Sequence, residues 1–132
     1  MASVFAFFDS DGEMEFREGT PDRVFGALDP RHADPLAFTV QRCSWGGDGL
    51  EGHISNTARF VGTYPPNPVA TGVVTALGGP QEYIFGNLVI CGSRWSPIEG
   101  EPPSIHGLSQ AQQDLIGDVH IAVRKEAAST QQ

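Results

Sequence analysis

Three prolines within four positions, Pro65, Pro66 and Pro68, stand in the middle of the chain and bar a regular strand there, because none supplies an amide hydrogen to a ladder. The run Tyr64-Pro65-Pro66-Asn67-Pro68 is expected as an ordered loop or an extended crossing segment, stiffened by fixed φ angles, with Asn67 able to bond its own neighbouring backbone. Any sheet must then be assembled from segments on either side of it.

Before the prolines, Ser3 to Phe8 is apolar at both alternating sets of positions, as suits a strand covered on two faces. Asp9-Ser10-Asp11-Gly12 follows as a turn, and Glu13 to Arg17 resumes the alternation, which reads as a β-hairpin. Thr20-Pro21 opens a short helix with Val24, Phe25 and Leu28 on one stripe, ended by Asp29-Pro30. Leu36 to Cys43 and Leu50 to about Ser55 are expected strands, joined by the glycine-rich turn 45–49.

After the prolines, Thr71 to Leu77 and Tyr83 to Cys91 are read as strands separated by Gly78-Gly79-Pro80, with Gly86 marking a bulge or a close backbone approach. A proline-rich link, Pro97 to Pro103, leads to Ser109-x-x-Gln112, a capping box that opens a helix. Residues 118–125 fit helical spacing, although Val119, Ile121 and Val123 also alternate as a strand would. The expected whole is an α+β fold: a single mixed, mainly antiparallel sheet with one short N-terminal helix and one C-terminal helix. Residues 1–126 make one domain and 127–132 a frayed polar tail.

The charge pattern narrows the classes of partner. Sixteen acids against eight bases give a net charge of −8, and the arginines are scattered singly, so no footprint for a phosphate backbone exists and direct nucleic-acid binding is not expected. Asp9, Asp11, Glu13, Glu15, Glu18, Asp22, Asp29 and Asp34 crowd the first quarter, either as a solvated face or as an acidic surface for a basic partner. No apolar run is long enough to span a bilayer, and no secretory signal is read at the start. With only Cys43 and Cys91, far apart, a cytoplasmic, reduced setting is expected.

No chemistry-bearing set emerges. Asp9-Ser10-Asp11-Gly12 lacks the sixth-position glycine and twelfth-position glutamate of a calcium loop. His32, His53, His106 and His120 lie one per segment without metal-gripping spacing, so neither a metal nor another cofactor is expected. Cys91 ends an apolar strand, where a thiol behaves as a small hydrophobe, while Cys43, flanked by Arg42, Ser44 and Trp45, is the less inert of the two. The glycines at 46–49 and 78–79 match no phosphate-binding pattern.

Asn56 to Thr71, Phe85 to Gly92 and Gly107-Leu108-Ser109 together resemble a small-domain family of unknown function, the domain-of-unknown-function family numbered 3846, met in phages, plasmids and other mobile elements. The matching positions are Asn56, Gly62, Pro66, Asn67, Ala70, Gly86, Gly92 and Ser109. The resemblance implies an accessory role in a mobile element and imports no reaction.

Three functional expectations follow. The first is a non-catalytic binding protein that recognises a host protein or a small ligand through the 64–71 loop, with Asn56, Tyr64, Pro66, Asn67 and Trp95 as candidate binding residues. The second is an acidic inhibitor that imitates nucleic-acid charge, and the third a small enzyme using Cys43 or a histidine. Self-association through a sheet edge is compatible with all three.

Overall fold

In the computed structural model of the chain, the described residues are 3–19, 35–42, 48–55, 65–94, 98, 100 and 104–130. They form an α+β fold built on an antiparallel six-stranded sheet and two helices. The strands are β1 (Val4–Phe8), β2 (Met14–Glu18), β3 (Pro35–Gln41), β4 (Asp48–Ser55), β5 (Leu88–Arg94) and β6 (Ser104–His106), and the helices α1 (Pro68–Ala76) and α2 (Gln110–Thr130).

The sheet order is β2-β1-β5-β4-β3, with β6 also on β5. On the side of β5 away from β4, β1 pairs with Leu88 to Ile90 and β6 with Gly92 to Arg94, so two strands stand end to end along one neighbour. Leu108 donates its amide to the Val4 carbonyl at this join. A Cβ on Gly92 would lie 3.0 Å from the Gly107 carbonyl oxygen, which explains a glycine where the two strand ends converge.

The first hairpin follows the sequence reading. The Asp9 carboxylate accepts from the amides of Asp11 and Glu13, both at 3.0 Å, and Gly12 takes φ +87, a conformation that favours glycine. The short helix expected from Thr20 lies outside the described residues.

Residues 71–77, expected as a strand, form instead most of α1 and its C-cap, Leu77. Asn67 caps this helix by accepting from the Ala70 amide, and Pro68 occupies its first turn. Ala70, Val73, Val74 and Leu77 recur at helical spacing and are all buried, so burial of that stripe overrides the strand preference of Val73, Val74 and Thr75. Gly78 (φ +97) and Gly79 close the helix by donating to the carbonyls of Thr75 and Val74, the paired bonds of a Schellman end.

The strand expected over Tyr83 to Cys91 begins instead at Leu88, and residues 104–106, not read as a strand, form β6. The capping box holds: the Gln112 amide donates to Ser109 Oγ at 3.1 Å and the Ser109 amide to Gln112 Oε1 at 2.9 Å. Gln112 Nε2 then reaches the Gly49 carbonyl on β4, which pins the helix start to the sheet. α2 continues through 118–125 and on to Thr130, into the stretch expected as a frayed tail.

Strand alternation divides the buried side chains between the two faces of the sheet. Ala6, Phe8, Leu50, Ile54, Leu88 and Ile90 meet α1 and α2 through Val73, Val74, Leu77 and Ile116 in the main core. Phe5, Phe7, Val89 and Cys91 form a smaller cluster on the opposite face.

Candidate functional site

The stretch around Asn67 acts as a junction. Asn67 is fully buried, and its side-chain amide donates to the carbonyls of Asp9 and Gly86, each at 2.8 Å. With its oxygen on the Ala70 amide, one side chain joins the first hairpin, the segment before β5 and the start of α1. With both amide hydrogens used and no exposed surface, this side chain is out of reach of a macromolecular partner. Asn67 is therefore a positioning residue, while Pro66 beside it is exposed. The other sequence candidates, Asn56, Tyr64 and Trp95, lie outside the described residues, as do Cys43 and His32.

The junction positions the chain before β5. The Asn67 amide donates to the Ile84 carbonyl, the Gly86 amide to the Pro65 carbonyl, and the Ile84 amide to Thr71 Oγ1, while Pro66 bridges Phe85 antiparallel. The proline-rich stretch thus holds 84–86 as a short ladder, and Pro66, which has no amide hydrogen, leaves the donating to its neighbour.

Held this way, Pro80 and Glu82 to Phe85 form one wall of an apolar cleft of about 310 Å³. Leu36, Ala37 and Phe38 of β3 form the other wall, and Ile54 and Val74 contribute apolar side chains between them. The Phe38 ring lies over Gly52, where a Cβ would come within 2.4 Å of Phe38 Cζ, so the glycine on β4 makes room for the aromatic wall. Tyr83, 55% exposed, packs its ring 5.4 Å from that of Phe85 at the rim. Among the described lining residues, Glu82 is the one acid and no base is present.

The opposite face brings together three polar groups that the sequence leaves apart. Register pairs Glu51 with Cys91 and His53 with Val89, which sets Cys91 Sγ 3.4 Å from His53 Nε2 and 3.6 Å from the Glu51 carbonyl oxygen. Glu51 Oε1 lies 3.8 Å from the same imidazole nitrogen. Burial lowers the His53 pKa to about 4 and raises that of Glu51. The Cys91 thiol is pushed up to about 12, first by burial and then by the Glu51 charge. At neutral pH the pair is a neutral thiol against a neutral imidazole, the reverse of the thiolate a cysteine nucleophile needs. Among the described residues, no group of three His, Cys, Asp or Glu side chains is placed to hold a metal ion.

The other described histidines, His106 and His120, have structural contacts. His120 is buried, meets the Gly12 carbonyl oxygen through Nε2 at 2.8 Å and packs edge-on to Phe8. His106 Nε2 lies 2.8 Å from Ser104 Oγ. The N-terminal acids that the structure describes are partly absorbed locally: Asp9 forms the turn, Glu13 pairs with Arg124 at 2.8 Å, and Glu15 pairs with Arg17, whose guanidinium stacks over Phe7. No helix is long and apolar enough to cross a membrane among the described residues.

Comparison with protein-family models, curated proteins and solved structures returns no match for this chain.

Proposed function

We propose that this protein is a non-catalytic binding protein that takes a partner protein or a small ligand in the cleft between β3 and residues 80–85. The carrying observation is the cleft itself: about 310 Å³, with aliphatic and aromatic walls, an exposed tyrosine at its rim and one carboxylate among its described lining residues. Concave apolar surface with few polar groups is the common form of a ligand site. The proline-rich stretch serves this reading indirectly, since its bonds hold the wall that includes Ile84 and Phe85. Neutrality of the Cys91–His53 pair supports a binding role over thiol chemistry. An accessory role in a phage or mobile element rests on the sequence resemblance alone.

A thermal-shift screen of apolar fragments and of a mixed peptide pool tests the proposal, with Tyr83→Ala as the control. Tyr83 is 55% exposed and lines the cleft at its rim, so the substitution removes part of one wall without disturbing the core. Hits that stabilise the wild type are expected to lose their effect on the variant. Hits unaffected by Tyr83→Ala, or turnover that depends on His53 or Cys91, would overturn it.

A further inference from the structure

The chemistry of the lining, on the reading that the cleft is the binding site, indicates the class of ligand it takes. Two walls remote in sequence bring aromatic rings to it: Phe38 from β3, and Tyr83 with Phe85 from the segment before β5. The Tyr83 and Phe85 rings stand together, with centroids 5.4 Å apart and planes at 49°. Phe38 lines the cavity without plugging it, because its ring occupies the room that Gly52 leaves on β4. Aromatic pairs favour tilted and offset contacts, and a further ring set among these gains more than its buried area alone.

Volume sets the size of the ligand. A dry apolar cavity of roughly 150 Å³ admits one benzene ring. The cleft, at about 310 Å³, has about twice that space. Two fused rings fit it, whereas a single ring leaves much of the apolar lining in contact with water.

Charge sets the rest. Among the described lining residues there is no base, and Glu82, the one acid, already has an interaction within the chain. An anion in the cleft would face that carboxylate, and a cation would compete with the interaction it already makes. Either ion would also exchange water for apolar walls, at a cost that a neutral molecule avoids. Tyr83, more than half exposed, leaves its end of the cleft open to solvent, so a small polar substituent can stay hydrated there.

We propose that the cleft takes a neutral aromatic small molecule of two fused rings, seated between Phe38 and the Tyr83–Phe85 pair, with any polar substituent at the Tyr83 rim.

Calorimetry on the full chain tests the proposal with five probes: 2-naphthol, phenol, 2-naphthoate, trimethyl(2-naphthylmethyl)ammonium and decahydro-2-naphthol. 2-Naphthol is expected to bind at least about tenfold more tightly than phenol, for the apolar area of its second ring, and than either charged form. Its lead over the saturated decahydro-2-naphthol, and its loss of affinity in Tyr83→Leu, are each expected at about two- to tenfold, the range of an aromatic pair, while Tyr83→Phe keeps the affinity. Phenol binding as tightly as 2-naphthol would refute the size, and decahydro-2-naphthol binding as tightly would refute the aromatic class. Tighter binding of the naphthoate or the ammonium would refute neutrality. Screen hits that act through the cleft while none of the five probes binds would overturn the ligand class and leave the cleft as a binding site. Probe binding that is unchanged in both Tyr83→Leu and Tyr83→Ala would refute the site itself. If neither a probe nor a screen hit acts through the cleft, both readings fall.

Discussion

Replacing Asn67 with alanine removes three bonds at once, and their separate worth is legible from the geometry. The loss of the cap on Ala70 costs about 1 kcal/mol. The Asp9 carbonyl keeps a donor in the Gly12 amide at 3.1 Å, so it is not stranded. The Gly86 carbonyl loses a buried donor, which costs about 1–3 kcal/mol. The sum is about 2–4 kcal/mol, or roughly 6–16 °C in Tm for a domain of this size. Asn67→Asp separates the cap from the junction. Aspartate caps a helix as well as asparagine does, but it brings an acceptor towards two carbonyl oxygens inside a site with no exposure. Asn67→Asp is therefore expected to be at least as unstable as Asn67→Ala at pH 7. It should regain stability as pH falls, because the buried carboxyl has a raised folded pKa and its protonated form is the one the fold tolerates. Urea unfolding of both variants across pH provides the measurement. An aspartate variant as stable as the wild type at neutral pH would refute the junction and reduce Asn67 to an ordinary cap.

Three more outcomes are expected. His53 is depressed from 6.5 to about 4 in the folded state, so its contribution, up to about 3 kcal/mol, is present above pH 6.5 and lost as pH falls towards 4. The raised Glu51 acts in the opposite direction over the carboxylate range, and acid unfolding of His53→Gln beside the wild type isolates the histidine. In a Cys43→Ser background, Cys91 should resist iodoacetamide at pH 7.5 in the native state and react in urea at a rate set by unfolding; native labelling at the rate of a free thiol would contradict its burial. Gly52→Ala should force the Phe38 ring into the cleft, at a cost of about 1–3 kcal/mol together with lost ligand binding, as read by unfolding and by the fragment screen.

Local signals in the sequence located the elements with strong punctuation. Asp9 to Gly12 marked the hairpin and Ser109 with Gln112 marked the start of α2, because turn and cap chemistry act over a few residues. At α1 two local signals conflicted: the β-branched residues Thr71, Val73, Val74 and Thr75 favoured a strand, while the spacing of Ala70, Val73, Val74 and Leu77 favoured a helix, and packing against the sheet decided between them. Asn67 stood out as a turn residue, but its bonds to Asp9 and Gly86 span 58 and 19 residues and carry no local trace. The cleft is equally non-local, since Phe38 and Phe85 face one cavity only once β3 has taken its place at the sheet edge. His53 and Cys91 meet only through the register of β4 with β5.

The claim that this chain binds in the cleft between β3 and residues 80–85 and keeps its buried thiol silent is tested most directly by amide chemical-shift mapping during titration with a hit from the thermal-shift screen. The predicted perturbations fall on 36–38 and 82–85, saturate with the ligand and reverse on dilution. Shifts confined to 51–55 and 89–93, or a slow irreversible change centred on Cys91, would contradict it.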